Sequence, residues 1–120
     1  MFNFQLRSAL PILLFVVTGC AGTTNIGHGS DELLDFAESN CFFWYFKSKN
    51  YDLSDIKKVT SGIVEMGSYS AEKFQKTAFL VKDYTPIILS KNNIDVQLAK
   101  CFVLKEDKEF LEKLDRIRKL

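Results

Sequence analysis

Cys41-Phe42-Phe43-Trp44-Tyr45-Phe46 is the stretch on which the fold turns. Five consecutive aromatic side chains follow a cysteine, in a chain of 120 residues with only two prolines and six glycines. At about 100° per residue, five successive side chains encircle a helix, so the segment reads as a central helix or one with a second buried face. Towards the amino terminus, Leu34, Ala37, Cys41, Trp44 and Tyr45 recur at three- and four-residue steps and predict one apolar stripe. Ser30 or Asp31 is placed to cap this first helix, with Glu32 and Asp35 near its positive end. Trp44 and Tyr45 are expected in the core. The surplus aromatics also fit a ligand-binding or subunit surface, with Phe43 or Phe46 as a contact between two copies.

Towards the carboxyl terminus the periodicity stays helical. Asp52-Leu53-Ser54-Asp55 resembles a capping box for a second helix with the stripe Ile56, Val59, Ile63 and Met66. Thr60, Ser61 and Gly62 weaken it, and a strand over 59–66 is the alternative. Gly67 suits a helix end. Helix 3 starts at Ser68 or Ser70, carries Phe74, Ala78, Val81 and Thr85 on one face, and ends or kinks before Pro86, which has no N–H. Ile87-Ile88-Leu89 is expected to be a short buried run, and Ser90-Lys91-Asn92-Asn93 a turn-rich loop. Asn92 with Asp95 can cap helix 4, whose stripe Ile94, Leu98, Cys101 and Phe102 holds the second cysteine. Asp107 can cap helix 5, over 108–119, with Phe110, Leu111, Leu114 and Ile117 inside. Its acids Glu109, Glu112 and Asp115 each stand four residues before a base, which marks a solvated face. About five helices, with no convincing strand alternation and no internal repeat, predict an all-α bundle.

The first residues read as a processing segment. Arg7 precedes the apolar run Ala9-Leu10-Pro11-Ile12-Leu13-Leu14-Phe15-Val16-Val17, which is of signal-peptide length. As a helix it would reach only about 14 Å, against roughly 30 Å of bilayer core. Val17-Thr18-Gly19-Cys20 then resembles the lipobox of bacterial lipoproteins, in which the peptidase cuts before the cysteine and the thiol carries a diacylglycerol. An ordinary secretory signal that happens to end in Gly-Cys is the alternative. Ala21 stands where an aspartate would retain a Gram-negative lipoprotein at the inner membrane, so the expected address is the periplasmic side of the outer membrane. Residues 1–19 are thus read as a lipoprotein signal peptide and 20–30 as the lipidated cysteine with a flexible, glycine-rich tether. Residues 31–120 form the helical domain. His28, the only histidine, sits between two glycines of the tether and has no neighbours that could complete a metal site.

Cleavage there leaves 101 residues, enough for one small domain, in which fifteen basic residues balance fifteen acids. No basic stripe points to nucleic acid; a near-neutral chain suits recognition of another protein through local patches. With Cys20 lipidated, two cysteines remain in an oxidising compartment, and they read as one disulfide, Cys41–Cys101. Two buried free cysteines acting as small hydrophobes are the alternative. A catalytic reading finds no nucleophile–base set, no metal-ligating cluster, no His-Glu-x-x-His, no Cys-x-x-Cys and no phosphate-binding glycine loop. We therefore expect a protein that is not an enzyme and uses no cofactor or metal.

Residues 41 to 118 carry a resemblance. A helix 1 cysteine is followed by Gly67-Ser68-Tyr69-Ser70 leading into helix 3, and by Lys82-Asp83-Tyr84. Leu98-Ala99-Lys100-Cys101-Phe102 and a charged last helix with Leu111-Glu112-Lys113-Leu114 come after the loop. The pattern resembles the type VI secretion amidase immunity proteins, specifically the partners of the fourth class of amidase effectors. The resemblance implies an all-helical, periplasmic and often dimeric protein, which pairs a helix 1 cysteine with one in a Leu-Lys-Cys-Leu-like segment. It further implies that a protruding segment near helices 3 and 4 blocks the active-site groove of a peptidoglycan amidase. The corresponding candidates here are Lys82, Asp83 and Tyr84 with the loop Ser90, Lys91, Asn92 and Asn93. The plain reading of Asp83 and Tyr84 is a solvated helix end, with Tyr84 partly buried. A lipid-anchored structural or assembly module of the envelope is the alternative function.

Overall fold

The computed structural model describes residues 31–120. The lipobox with Cys20, the tether and His28 lie outside the described residues. Those described form five α-helices and one short 3-10 turn, with no strand among them. They are α1 (Glu32–Ser48), α2 (Ser54–Met66), α3 (Ala71–Asp83), α4 (Val96–Val103), the turn Leu104–Glu106 and α5 (Lys108–Arg118). The all-helical expectation holds, and 59–66 is helix.

The caps explain most of the boundaries. Asp31, Ser70, Asp95 and Asp107 each have non-helical backbone and accept a hydrogen bond from a first-turn N–H, at Leu34, Lys73, Gln97 with Leu98, and Phe110 respectively. Helix α2 differs: Leu53 occupies its cap position with no side-chain bond, and Asp52 reaches past it to accept from the Ser54 N–H. At the other end of α1, Asn50 has a positive φ of 58°. The Tyr51 N–H donates to the Phe46 carbonyl and the Asn50 N–H to that of Lys47, a Schellman closure. The Tyr51 ring packs against Phe46 at 5.8 Å, the hydrophobic contact that accompanies such closures.

Helix α1 lies against α2, α3, α4 and α5 and is the axis of the domain. Its buried face is Leu33, Phe36, Ala37 and Cys41, joined by Phe74 and Val81 of α3, Tyr84, Cys101, Leu104, and Phe110 and Leu114 of α5. This corrects the expected stripe. Leu34 is only half-buried, and so are all five aromatics from Phe42 to Phe46. The fully buried positions of α1 run from Leu33 to Cys41 and stop where the aromatic run begins. The run instead forms a collar. Phe42 packs edge-on to Phe102 of α4 at 5.6 Å, Phe43 to Trp44 at 5.2 Å, and Tyr45 and Phe46 both meet Tyr51.

Helix α2 is a satellite. It buries no residue fully, and Val59 and Met66 of its expected stripe are exposed. Ile56 and Ile63 face α1 across a shallow apolar groove that also takes in Phe42. The corner after α2 is held by Glu32, whose carboxylate accepts from the Ser68 N–H at 2.7 Å and from its hydroxyl.

The sulfurs of Cys41 in α1 and Cys101 in α4 are bonded, with Cα atoms 5.4 Å apart at positions sixty apart in sequence. Both cysteines are buried. A second tie joins the ends of the domain: Arg118 of α5 pairs with Asp31, the cap of α1, and the Lys73 ammonium donates to the Arg118 carbonyl at 2.7 Å.

Candidate functional site

Two features stand out on the surface, and they share one end of α3. The first is the loop between α3 and α4. Pro86 ends the helical run as expected, but its ring is buried, and the apolar run after it is not. Ile87 is 89% exposed and Leu89 is 93% exposed. The expectation of a short buried Ile87-Ile88-Leu89 run is therefore wrong: only Ile88 turns partly inward. The physical reason is geometric. Tyr84, packed on Phe110 of α5, and Pro86 are the last buried positions, and the chain after them leaves the core with Ile87 and Leu89 outward. Ser90 stabilises a local turn, its hydroxyl donating to the Asn92 carbonyl at 3.0 Å and accepting from the Asn92 N–H at 3.1 Å. Lys91, Asn92 and Asn93 are exposed beside it.

The loop is anchored firmly at both ends. Tyr84 is a core residue; its ring packs on Phe110 at 5.4 Å and its hydroxyl donates to Asp107 Oδ1 at 2.6 Å. Burial, then that carboxylate, pushes the phenol well above the usual tyrosine range. The same bond, followed by the Phe110 N–H, holds the Asp107 carboxyl below its ordinary value. Tyr84 is thus a pillar under the loop, its hydroxyl bonded to Asp107 and only an edge of it bordering the hollow beside Asp83. At the far end, Asp95 caps α4 and pairs with Lys49 at 2.6 Å. The Lys49 hydrogen bond keeps the Asp95 carboxyl below its ordinary value, and the Lys49 ammonium is raised in turn.

The second feature is a cleft of about 300 Å³ where the last turns of α1 meet the end of α3 and the start of α4. Trp44 and Tyr45 make its apolar wall, and Cys41 and Val81 its floor. Ser48 and Gln97 close the rim, the serine hydroxyl donating to Oε1 of the glutamine at 2.8 Å. The indole N–H of Trp44 donates to Oδ1 of the nearly buried Asn40 at 3.0 Å, which sets the ring orientation. Three lysines line the cleft, Lys47, Lys82 and Lys100, and no carboxylate does. The Lys47 and Lys82 ammoniums sit 5.1 and 5.0 Å from the centre of the Trp44 ring. Lys100 donates to the Val81 carbonyl near the end of α3, and burial lowers its pKa.

The structure separates the candidates that sequence placed together. Lys82 turns to the cleft, while its neighbour Asp83 lines a different hollow with Glu109 and Lys113. Tyr84 lines that same hollow with a largely buried ring, and Ser90 to Asn93 form the outer loop. Ile87 and Leu89 were missed because an apolar run reads as buried unless something shows that the core is already full. The cleft was missed because it joins residues from three helices. Lys47 three residues after Trp44 was its only local signal. No protein-family model, no curated protein and no solved structure matches the chain. Among the described residues no cluster of three His, Cys, Asp or Glu side chains could hold a metal, and no helix is long and apolar enough to cross a membrane.

Proposed function

We propose that this protein is an immunity protein that binds and blocks a type VI secreted peptidoglycan amidase in the periplasm. In this reading it is held on the outer membrane through lipid on Cys20, and the loop from Ile87 to Asn93 enters the enzyme's groove. The observation that carries the reading is the outward display of Ile87 and Leu89 on a loop fixed at both ends. Interfaces concentrate affinity in a few apolar anchors surrounded by a polar rim, and Ser90, Lys91, Asn92 and Asn93 supply such a rim. Exposing two large aliphatic side chains to water disfavours the free protein, and covering them on a partner recovers up to about 1.5–3 kcal/mol each. The frame beneath favours tight docking. Tyr84 on Asp107, Asp95 on Lys49, and the Cys41–Cys101 bond behind α4 leave the loop little freedom to lose on binding. The chemistry in this pairing belongs to the enzyme; the immunity protein contributes shape and apolar contact.

The test expresses a cognate amidase in the periplasm with and without this protein. Protection from lysis is expected with the native chain. It should be lost with Ile87→Ser/Leu89→Ser, whose stability should stay within about 0.5 kcal/mol of the parent because both positions are solvated. Equal lysis with and without the native protein would refute the reading.

A further inference from the structure

The cleft between α1, α3 and α4 carries an inference independent of the immunity reading. Three lysines and no carboxylate line it. Lys47 and Lys82 stand each about 5 Å from the same ring centre, so the two ammoniums are no further apart than twice that distance. Both ammoniums lie over the one indole, whose negative face attracts each of them, so an anion placed between them would meet two cations at once. Of the acids nearby, Asp95 is paired with Lys49, and Asp83, which lines the hollow beside Glu109, acts on the Lys100 ammonium; no carboxylate lines the cleft beside Lys47 and Lys82. Lys100 at the floor adds a third cation already bonded to a backbone carbonyl.

The walls are apolar. Trp44 and Tyr45 line one side, and the volume of about 300 Å³ is at the lower end of what small-molecule sites occupy. An aromatic wall beside converging cations, with Ser48 and Gln97 offering further polar contacts at the rim, matches a ligand with a hydrocarbon body and one negative end. We propose that this cleft binds a small organic carboxylate, its anionic end between Lys47 and Lys82 and its hydrocarbon part against Trp44 and Tyr45. An amino-acid or short-peptide carboxyl terminus belongs to that class.

Trp44 is the only tryptophan in the chain, so its fluorescence reports on the cleft alone. The full-length protein is titrated with N-acetyl-phenylalanine at constant ionic strength, in parallel with its neutral amide and with inorganic phosphate. A saturable change with a dissociation constant of about 1 mM is expected for the carboxylate, given its size. The amide should bind about tenfold more weakly, as should the Lys82→Gln and Lys47→Gln variants, since each loses a charged hydrogen bond. Their unchanged melting transitions would separate lost binding from lost fold. Three results would overturn the proposal: no saturable change with the carboxylate, equal binding of the amide, or wild-type affinity in both lysine variants. Phosphate competing as well as the carboxylate would refute the role given to the aromatic wall.

Discussion

Replacing both bridged cysteines, Cys41→Ala/Cys101→Ala, should lower the stability of the domain by about 4 kcal/mol. The figure comes from the chain that the bond closes. The two cysteines are sixty positions apart, and in the chain-entropy treatment a loop of that length restricts the unfolded ensemble by about 4 kcal/mol at 25 °C. The folded state changes little beyond the lost sulfurs, because both sites are buried and alanine fits within the volume that cysteine leaves. A small domain with a urea slope of about 1 kcal/mol per molar would show its midpoint fall by several molar. In a melt, 1 kcal/mol moves the transition of a domain this size by roughly 4–8 °C, so a drop of more than about 15 °C is expected. Cys41→Ala alone, Cys101→Ala alone and the double variant should cost the same within about 0.5 kcal/mol, since either one opens the bridge. Unfolding followed by far-ultraviolet circular dichroism, with and without reductant, measures all of these. A double variant within 1 kcal/mol of the parent would refute the reasoning. So would alkylation of two thiols at Cys41 and Cys101 in unfolded, unreduced protein.

The two described glycines should respond to alanine with opposite sign. A Cβ on Gly62 meets nothing within 4 Å in the middle of α2, so Gly62→Ala should stabilise by up to about 1 kcal/mol. At Gly67 it would come 2.7 Å from the buried Phe74 ring and 2.9 Å from the Ile63 carbonyl, and Gly67→Ala should cost about 1–3 kcal/mol; urea midpoints of the pair decide it. Stability should decline at both ends of the pH scale. The Asp107 carboxyl is depressed by the Tyr84 hydroxyl, so its contribution is full above the unfolded carboxylate value near 3.9 and fades as pH falls through the folded one. The Tyr84 phenol is raised by burial, so its contribution holds below about pH 10 and is lost as pH rises. Tyr84→Phe should therefore flatten the alkaline decline measured by denaturation at stepped pH, while an unaltered profile would contradict the assignment. Asn50→Ala should cost about 1 kcal/mol by placing alanine at positive φ, and Asn50→Gly should cost nothing, as read by thermal melts.

How far the fold was legible depended on whether the signal was local. Helix α5 was read nearly to its last residue, because Asp107 caps it and Phe110, Leu111, Leu114 and Ile117 repeat at one spacing with charges opposite. The start of α3 was legible in Ser70, but α4 begins three residues later than a cap at Asn92 implies, because Asp95 is its cap and Ile94 stays outside the helix. The register of α1 was not legible. Where apolar residues surround a helix, several stripes fit equally well, and here Leu33 with Phe36 is buried while Leu34 and Trp44 are half-buried. Ile87 and Leu89 mark a deeper limit. Nothing in Ile87-Ile88-Leu89 says that the buried positions end at Tyr84 and Pro86. Lys82 and Asp83 show the same limit at the candidate site, since adjacent residues at a helix end point into different hollows.

The clasp between Asp31 and Arg118 bears on how the domain would answer a mechanical load. Force applied through the two ends first meets this ion pair and the Lys73 contact beside it. Once they part, tension runs from α1 across the Cys41–Cys101 bond and out through α5. Everything between the two cysteines, the loop with Ile87 and Leu89 included, is shunted off that path. Held by one end and tugged at the other, the oxidised protein would lengthen by its outer segments only, while the stretch that displays the loop stayed slack.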